Sequence, residues 1–169
     1  MHGTPRGLDG ARDLARRDTY QFRWWAVSLV DAVPQGGQKK GADRGIGGIR
    51  WVRTGPNTGD IEKVIVSVKG GENVSVPQVR DLIGTMERAQ AAGGLFLTLA
   101  EPTRERRREA AGAGFFDTGF GTHPRVQIMT IRELLAGMTP DLPPLGRDEG
   151  FRRAPRERGK QPTQPKLDI

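Results

Sequence analysis

The sequence contains no cysteine and only two histidines, and these absences exclude several kinds of site. Without cysteine the chain forms neither a disulfide nor a thiolate metal site. His2 and His123 alone argue against a histidine-built zinc site and against a Ser-His-Asp triad. No apolar run approaches the length of a membrane-spanning helix, and the amino terminus lacks the apolar core of a signal peptide. We therefore expect a soluble, cytoplasmic protein with no membrane contact.

Positive charge is the feature of the composition that bears on a partner. The 169 residues carry a formal net charge of +7, and the isoelectric point is near 10.5. Such an excess favours a polyanion, above all a nucleic acid. A general preference for arginine in the source genome would produce the same excess, so charge alone leaves both interpretations open.

The stretch from Gly41 to Gly71 reads as a β-hairpin, because two β-branched runs flank turn residues such as Pro56 and Asn57. Asp43 lies in a glycine-rich bend before the first strand, and Lys69 ends the second. Divalent-metal nucleases use carboxylates for Mg²⁺ and a lysine for the phosphate, so both residue types suit such a centre. Spacing alone favours the simpler interpretation, a turn aspartate and a solvated lysine.

The remaining patterns predict helices and strands in alternation. Capping residues mark four helix starts: Asp18 with Gln21, Ser75 with Gln78, Thr103, and Thr130 with Glu133. Trp24 and Trp25 are predicted to be core residues of the second helix, and Gly93 or Gly94 to end the third. The apolar run 95–99 predicts a buried strand and 126–131 the last strand, with a turn-rich connection at 115–121. The order predicts an α/β domain with a mixed sheet flanked by helices.

Composition also suggests the domain organisation. Residues 1–17 are expected to be a helical lead-in at the end of a linker from an upstream domain, and residues 18–145 the folded domain. From residue 146 to residue 169 proline, glycine and basic residues dominate without periodicity, which predicts a basic, disordered tail.

Six blocks in this order resemble the Mrr-like branch of the PD-(D/E)XK restriction endonucleases, in the version attached to the C-terminus of site-specific amino DNA methyltransferases. The resemblance covers residues 3–151 and rests on GTPRGLDGARDLARRDTYQFRWWAVSLVDA, QKKGADRGIGG, VIVSVKGG, VPQVRDLIGTMERAQAAGGLFLTLAEPT, REAAGAGF and HPRVQIMTIRELLAG. It implies a restriction-endonuclease-like mixed sheet whose hairpin carries the active centre. In that centre water attacks the phosphate, Mg²⁺ polarises it and the lysine stabilises the developing charge.

Carried over by residue, the motif of the resembled family is incomplete. Asp43 matches the first aspartate of the G-x-D-x-G-x-D-G run, but Gly47 occupies the position of the second, the main metal ligand. Lys69 matches the signature lysine, and Ser67 replaces the acidic or amide residue before it. Arg23 stands where an acidic residue often follows the phenylalanine of the first core helix. We expect weak Mg²⁺ binding, and slow or absent cleavage unless Asp43 substitutes.

DNA contact depends less on the missing carboxylate, since Lys39, Lys40 and Arg44 flank the centre and suit phosphate contacts. Three functions stay open. The chain is a Mg²⁺-dependent DNA endonuclease of a restriction–modification system, a DNA-binding module that lost its metal site, or an adapter that docks to a DNA methyltransferase in cis or in trans. Double-strand cutting would favour a homodimer.

Overall fold

The computed structural model describes residues 5–35, 46–70 and 75–146. The helices are α1 (Leu8–Arg17), α2 (Thr19–Ser28), α3 (Val76–Ala89), α4 (Arg104–Ala111) and α5 (Ile131–Leu135). The strands are β1 (Val33–Pro34), β2 (Gly48–Arg53), β3 (Ile61–Lys69), β4 (Gly93–Thr98), β5 (Phe115–Thr118), β6 (Gly121–Pro124) and β7 (Val126–Thr130). Among these described residues no helix is long and apolar enough to cross a membrane.

Five strands form one sheet in the order β1-β2-β3-β4-β7. The β2–β3 hairpin is antiparallel, whereas β3 with β4 and β4 with β7 are parallel. Each parallel pair is joined by a crossover through α3 or α4, as parallel neighbours require. The predicted α/β fold with a mixed sheet and flanking helices is confirmed.

Helices cover both faces of the sheet and bury two cores. Alternation along β3 sends Val64, Val66 and Val68 to one face, where residues of α1, α2 and α5 cover them. Ile65 points to the other face and packs with Val79, Leu82 and Met86 of α3. The strand β4 is buried along its whole length, as predicted for the middle of a sheet covered on both faces.

The four predicted helix caps are confirmed by their hydrogen bonds. Asp18 Oδ1 accepts from the Gln21 amide at 3.1 Å, and Thr103 Oγ1 from the Arg106 amide at 3.3 Å. Ser75 and Thr130 each form a complete capping box with the side chain three residues ahead. Each bond satisfies an amide at the helix start that has no partner within the helix, and an N-cap residue is worth about 1 kcal/mol.

Three local predictions were wrong. The helix α3 ends at Ala89 with Gln90 in the left-handed conformation (φ 55°), and Gly93 and Gly94 begin β4 instead of stopping the helix. The predicted connection 115–121 contains the strand β5 and the turn of an antiparallel β5–β6 hairpin, whose short strands and glycine turn give little alternation. Trp24 is 46% exposed, because the buried side of α2 is formed by its neighbours.

The outer parts of the described chain are packed onto the sheet domain. Ala11 of α1 is fully buried in the core shared with α2. Near the other end, the Gly146 amide donates to the Trp51 carbonyl at 2.8 Å and the Arg53 amide to the Pro144 carbonyl at 2.9 Å. Residues 144–146 therefore cover the edge of β2 that β1 leaves open. The predicted domain limits at 17 and 146 remain predictions, and the tail from residue 147 lies outside the described residues.

Candidate functional site

A cleft of about 340 Å³ opens between α3 and the C-terminal end of β3. Ser67 and Lys69, two residues apart on β3, point to the same face and both line it. The helix contributes most of the other wall. The further lining residues are Gln78, Arg80, Asp81, Leu82, Gly84, Thr85, Arg88 and Phe96.

Rigid elements fix this cleft. The strand β3 is a central strand, so Ser67 and Lys69 are held against Phe96 and Thr98 of β4 on one side. The capping box of Ser75 starts α3 shortly after β3 ends, so the helix runs back along the same face. Ser67 is buried and Lys69 is half-buried, which leaves the ammonium as the more accessible of the two groups.

Gly47 lies beside β3, just before β2 begins. Its amide donates to the Val66 carbonyl at 2.7 Å, and its carbonyl accepts from the Gln35 amide at 3.0 Å. A β-carbon added to Gly47 would lie 3.3 Å from the Val66 carbonyl oxygen and 3.4 Å from Val68 Cγ2. The first contact is tight, so any side chain at position 47 requires β3 to move by a few tenths of an ångström.

The structure brings together part of the predicted site. Ser67 and Lys69 share the cleft, and Gly47 lies on the segment next to their strand. Asp43, Lys39, Lys40 and Arg44 lie outside the described residues. The roles assigned to all these residues stay predictions.

Three cations and one carboxylate line the cleft. Arg80 is committed to Glu109 of α4 through Nε–Oε2 and Nη2–Oε1 distances of 2.9 and 3.4 Å. This hydrogen bond raises the pKa of Arg80 and lowers that of Glu109. Arg88 donates from Nη2 to Thr85 Oγ1 at 3.0 Å. Within the described residues neither Lys69 nor Arg88 has a carboxylate at ion-pair distance, so both cations remain available to an anion.

The α3 wall was missed in the sequence, although it has a signal. Arg80, Gly84 and Arg88 follow each other at intervals of four residues, which places them on one side of a helix. Gly84, between the two arginines, has no side chain and so leaves space on this side of the helix next to Thr85. Only the crossover that lays α3 beside Lys69 turns this helical side into the wall of a cleft.

Mg²⁺ prefers one or two carboxylates with phosphate and water at a common point, and the described part of the cleft offers a single carboxylate. The described residues contain no group of three or more His, Cys, Asp or Glu able to hold a metal. The carboxylate in the cleft is Asp81 on α3. The β2–β3 hairpin contains two further acidic residues. Asp60 accepts from the Asn57 amide at 3.1 Å in the turn at 54–60, and Glu62 points to the face of the sheet opposite the cleft.

Comparisons with known proteins agree with this fold. The structure superposes with a TM-score of 0.56 on a protein titled "DNA modification-dependent restriction endonuclease AspBHI", at 18% sequence identity. The match covers 82% of this chain and 37% of the other, so the chain spans little more than a third of that enzyme. The chain is thus a restriction-endonuclease-like α/β domain.

Residues 35–136, more than half of the chain, match the family described as "NACHT-associated inactive Restriction Endonuclease 1". The chain belongs to this family. A search of curated proteins gives no match.

Proposed function

We propose that this domain binds DNA through the cleft between β3 and α3 and does not cut it. The observation that carries the proposal is a cleft with two available cations, Lys69 and Arg88, on a fold whose expected carboxylate position is Gly47. Phosphate contacts need cations on a rigid surface, and both of these lie on regular elements. Lys39, Lys40 and Arg44 are proposed to extend the phosphate contacts from the segment before Gly47.

The loss of cutting follows from the donor set. Ser67 offers a neutral hydroxyl where a carboxylate or amide would be expected, and Gly47 offers no side chain. Asp43 is the one acidic residue of the proposed motif, so the motif offers Mg²⁺ a single carboxylate and lacks the one expected at position 47. The word "inactive" in the family description supports the same conclusion.

Plasmid nicking with Mg²⁺ or Mn²⁺ tests the missing cut. We expect no nicking by the native chain and metal-dependent nicking by Gly47→Asp. Gly47→Asn is the matched control, because its β-carbon meets the same Val66 carbonyl without adding a carboxylate. Efficient metal-dependent cleavage by the native chain that is lost in Lys69→Ala would contradict the proposal, whether or not it survives Asp43→Ala.

Binding is tested separately from cutting. The native chain should shift a labelled duplex in the presence of EDTA, since the proposed contacts are between cations and phosphates and need no metal. Lys69→Ala should weaken this binding. A native chain that binds no DNA at low salt would refute the DNA-binding function, whatever the nicking assay shows.

A second candidate function is docking to another protein domain, and an apolar surface favours it. Phe115 and Phe120 of the β5–β6 hairpin are 67% and 48% exposed. Phe115 borders a cleft of about 290 Å³ whose walls include Ala110, Val126 and Ile128. Exposed apolar surface of this kind marks interaction sites.

The partner in that case is proposed from likeness. The Mrr-like resemblance implies a DNA methyltransferase in cis or in trans, within a cytoplasmic restriction–modification system. The family description instead names association with NACHT. A second copy of this chain, in a homodimer, is a further proposed partner. Phe115→Ser should abolish co-purification with the true partner while leaving DNA binding by the Lys69 cleft unchanged.

A further inference from the structure

The face of the β2–β3 hairpin that contains Ser67 and Lys69 also contains residues near the turn at 54–60. Ile49 pairs with Ile65, Trp51 with Lys63, and Arg53 with Ile61. Because side chains alternate along a strand, these residues share the face of Ser67 and Lys69. Ile49 and Ile65 pack against the α3-side core, which fixes the identity of that face.

Trp51 is a half-buried aromatic residue on this face that belongs to neither core cluster of the described chain. Trp25, by contrast, packs against the core beside Phe22, with ring centroids 6.0 Å apart. Directly opposing residues of an antiparallel pair have their β-carbons about 5 Å apart, so the register places Lys63 next to Trp51. The two residues therefore bring an aromatic ring and an ammonium to the same part of the surface.

The charged side chains that β2 and β3 place on this face are all cations. The two strands contain a single acidic residue, Glu62, and alternation sends it to the opposite face. The guanidinium of Arg53 is held in place, because Nη2 donates to the carbonyls of Gly55 and Pro56 at 3.3 and 3.2 Å. Lys63 has no described ion pair, and its backbone carbonyl accepts from the Ala92 amide at 2.9 Å, which anchors its strand.

We infer that this surface, formed by Trp51, Lys63 and Arg53, binds unpaired bases of single-stranded DNA at a contact separate from the Lys69 cleft. An aromatic ring beside cations is the arrangement that takes a base on its π-face and the backbone on the ammonium. Ile65, fully buried beneath α3, lies between Lys63 and Lys69, so this surface is a separate contact about 20 Å along the strand from Lys69. The inference rests on the proposed DNA binding and adds the form of DNA that is bound.

Binding of oligo(dT) and of a duplex of equal length, measured by anisotropy on the native chain and its variants, tests the surface. We expect Trp51→Ala to weaken oligo(dT) binding by about tenfold, in the range of one base–aromatic stack, and to change duplex binding far less. Trp51→Phe should retain most of the affinity. Trp24→Ala is the matched control, since Trp24 is exposed on α2, across the sheet.

A second measurement does not depend on the folding of an alanine variant. Stacking on a base quenches indole fluorescence, so oligo(dT) should quench the native chain in a saturable way and Trp51→Phe should lose that component. Lys63→Ala should reduce the slope of log K against log salt by about 0.7 for single strands.

The outcomes separate this inference from the proposed function. Duplex binding that depends on Lys69, together with oligo(dT) affinity and quenching unchanged by Trp51→Phe and Lys63→Ala, would overturn the inference and leave the proposed function intact. Absence of binding to both forms of DNA would overturn both. A variant with lower thermal stability but native affinity would show that Trp51 only packs over the Lys63 stem.

Discussion

Removing the two available cations of the cleft should change the salt dependence of DNA binding by an amount that the structure sets. The perturbation is Lys69→Ala combined with Arg88→Ala. Three cations line the cleft, but Arg80 is held by Glu109 at 2.9 Å, which leaves two to replace counterions on the phosphates.

Each phosphate neutralised on duplex DNA contributes about 0.9 to the slope of log K against log salt. The double variant should therefore have a slope smaller by about 1.8 than the native chain. Raising the salt from 50 to 200 mM should therefore weaken binding by the double variant by a factor about twelve times smaller than for the native chain. The single variants should each show about half of the change in slope, because the two side chains are proposed to contact different phosphates.

The assay is a set of anisotropy titrations of one labelled duplex at several salt concentrations. Arg16→Ala with Arg17→Ala is the charge-matched control, because these arginines lie on α1, which packs on the opposite face of the sheet and pairs them with Asp13. A double variant whose slope equals that of the native chain, or a control that lowers the slope as much, would refute the assignment of the cleft as the phosphate site.

Two predictions concern the frame of the cleft. Gly48→Ala should lower the free energy of unfolding in urea by about 1–3 kcal/mol, since the new β-carbon would lie 3.0 Å from Val27 Cγ1. Gly59→Ala is the control, because a β-carbon added there has no neighbouring atom within 4 Å. Equal stabilities of the two variants would contradict the clash. The pKa of Glu109 lies below its ordinary value of 4.5 because Arg80 donates a hydrogen bond to it, so the stabilisation is present at neutral pH and is lost as the pH falls through the folded-state value. Arg80→Gln should return that pKa toward 4.5 in an NMR titration, and an unchanged titration would contradict the pairing.

Local signals were sufficient for much of the fold. The caps at Asp18, Ser75, Thr103 and Thr130 depend on contacts three residues apart, so they are visible in the sequence. The β2–β3 hairpin and the buried strand β4 follow from short-range alternation and turn residues in the same way. Lys69 was identified by its place in a motif at the end of a strand, and the structure puts it at a cleft.

The wall opposite Lys69 was decided by tertiary structure. Arg88 lies 19 positions further along the chain and reaches the cleft because the crossover places α3 beside β3. Trp24 is exposed and Trp25 is half-buried, although both are tryptophans at neighbouring positions on α2. Their exposure therefore differs because of packing alone. Helical periodicity shows which residues share one side of a helix. Which side faces the core is set by the other elements that pack against the helix.

The sequence by itself determined most helices and the central strands of this domain, the excess of positive charge, and the absence of a carboxylate at position 47. The tertiary structure decided that Ser67 and Lys69 share a cleft with Arg88, that Arg80 is neutralised by Glu109, and that Trp51 lies on the same face of the hairpin. The physical reason is the range of the interactions. Capping and alternation act over two to four residues, whereas the charge and shape of a cleft arise where elements distant in sequence are packed together.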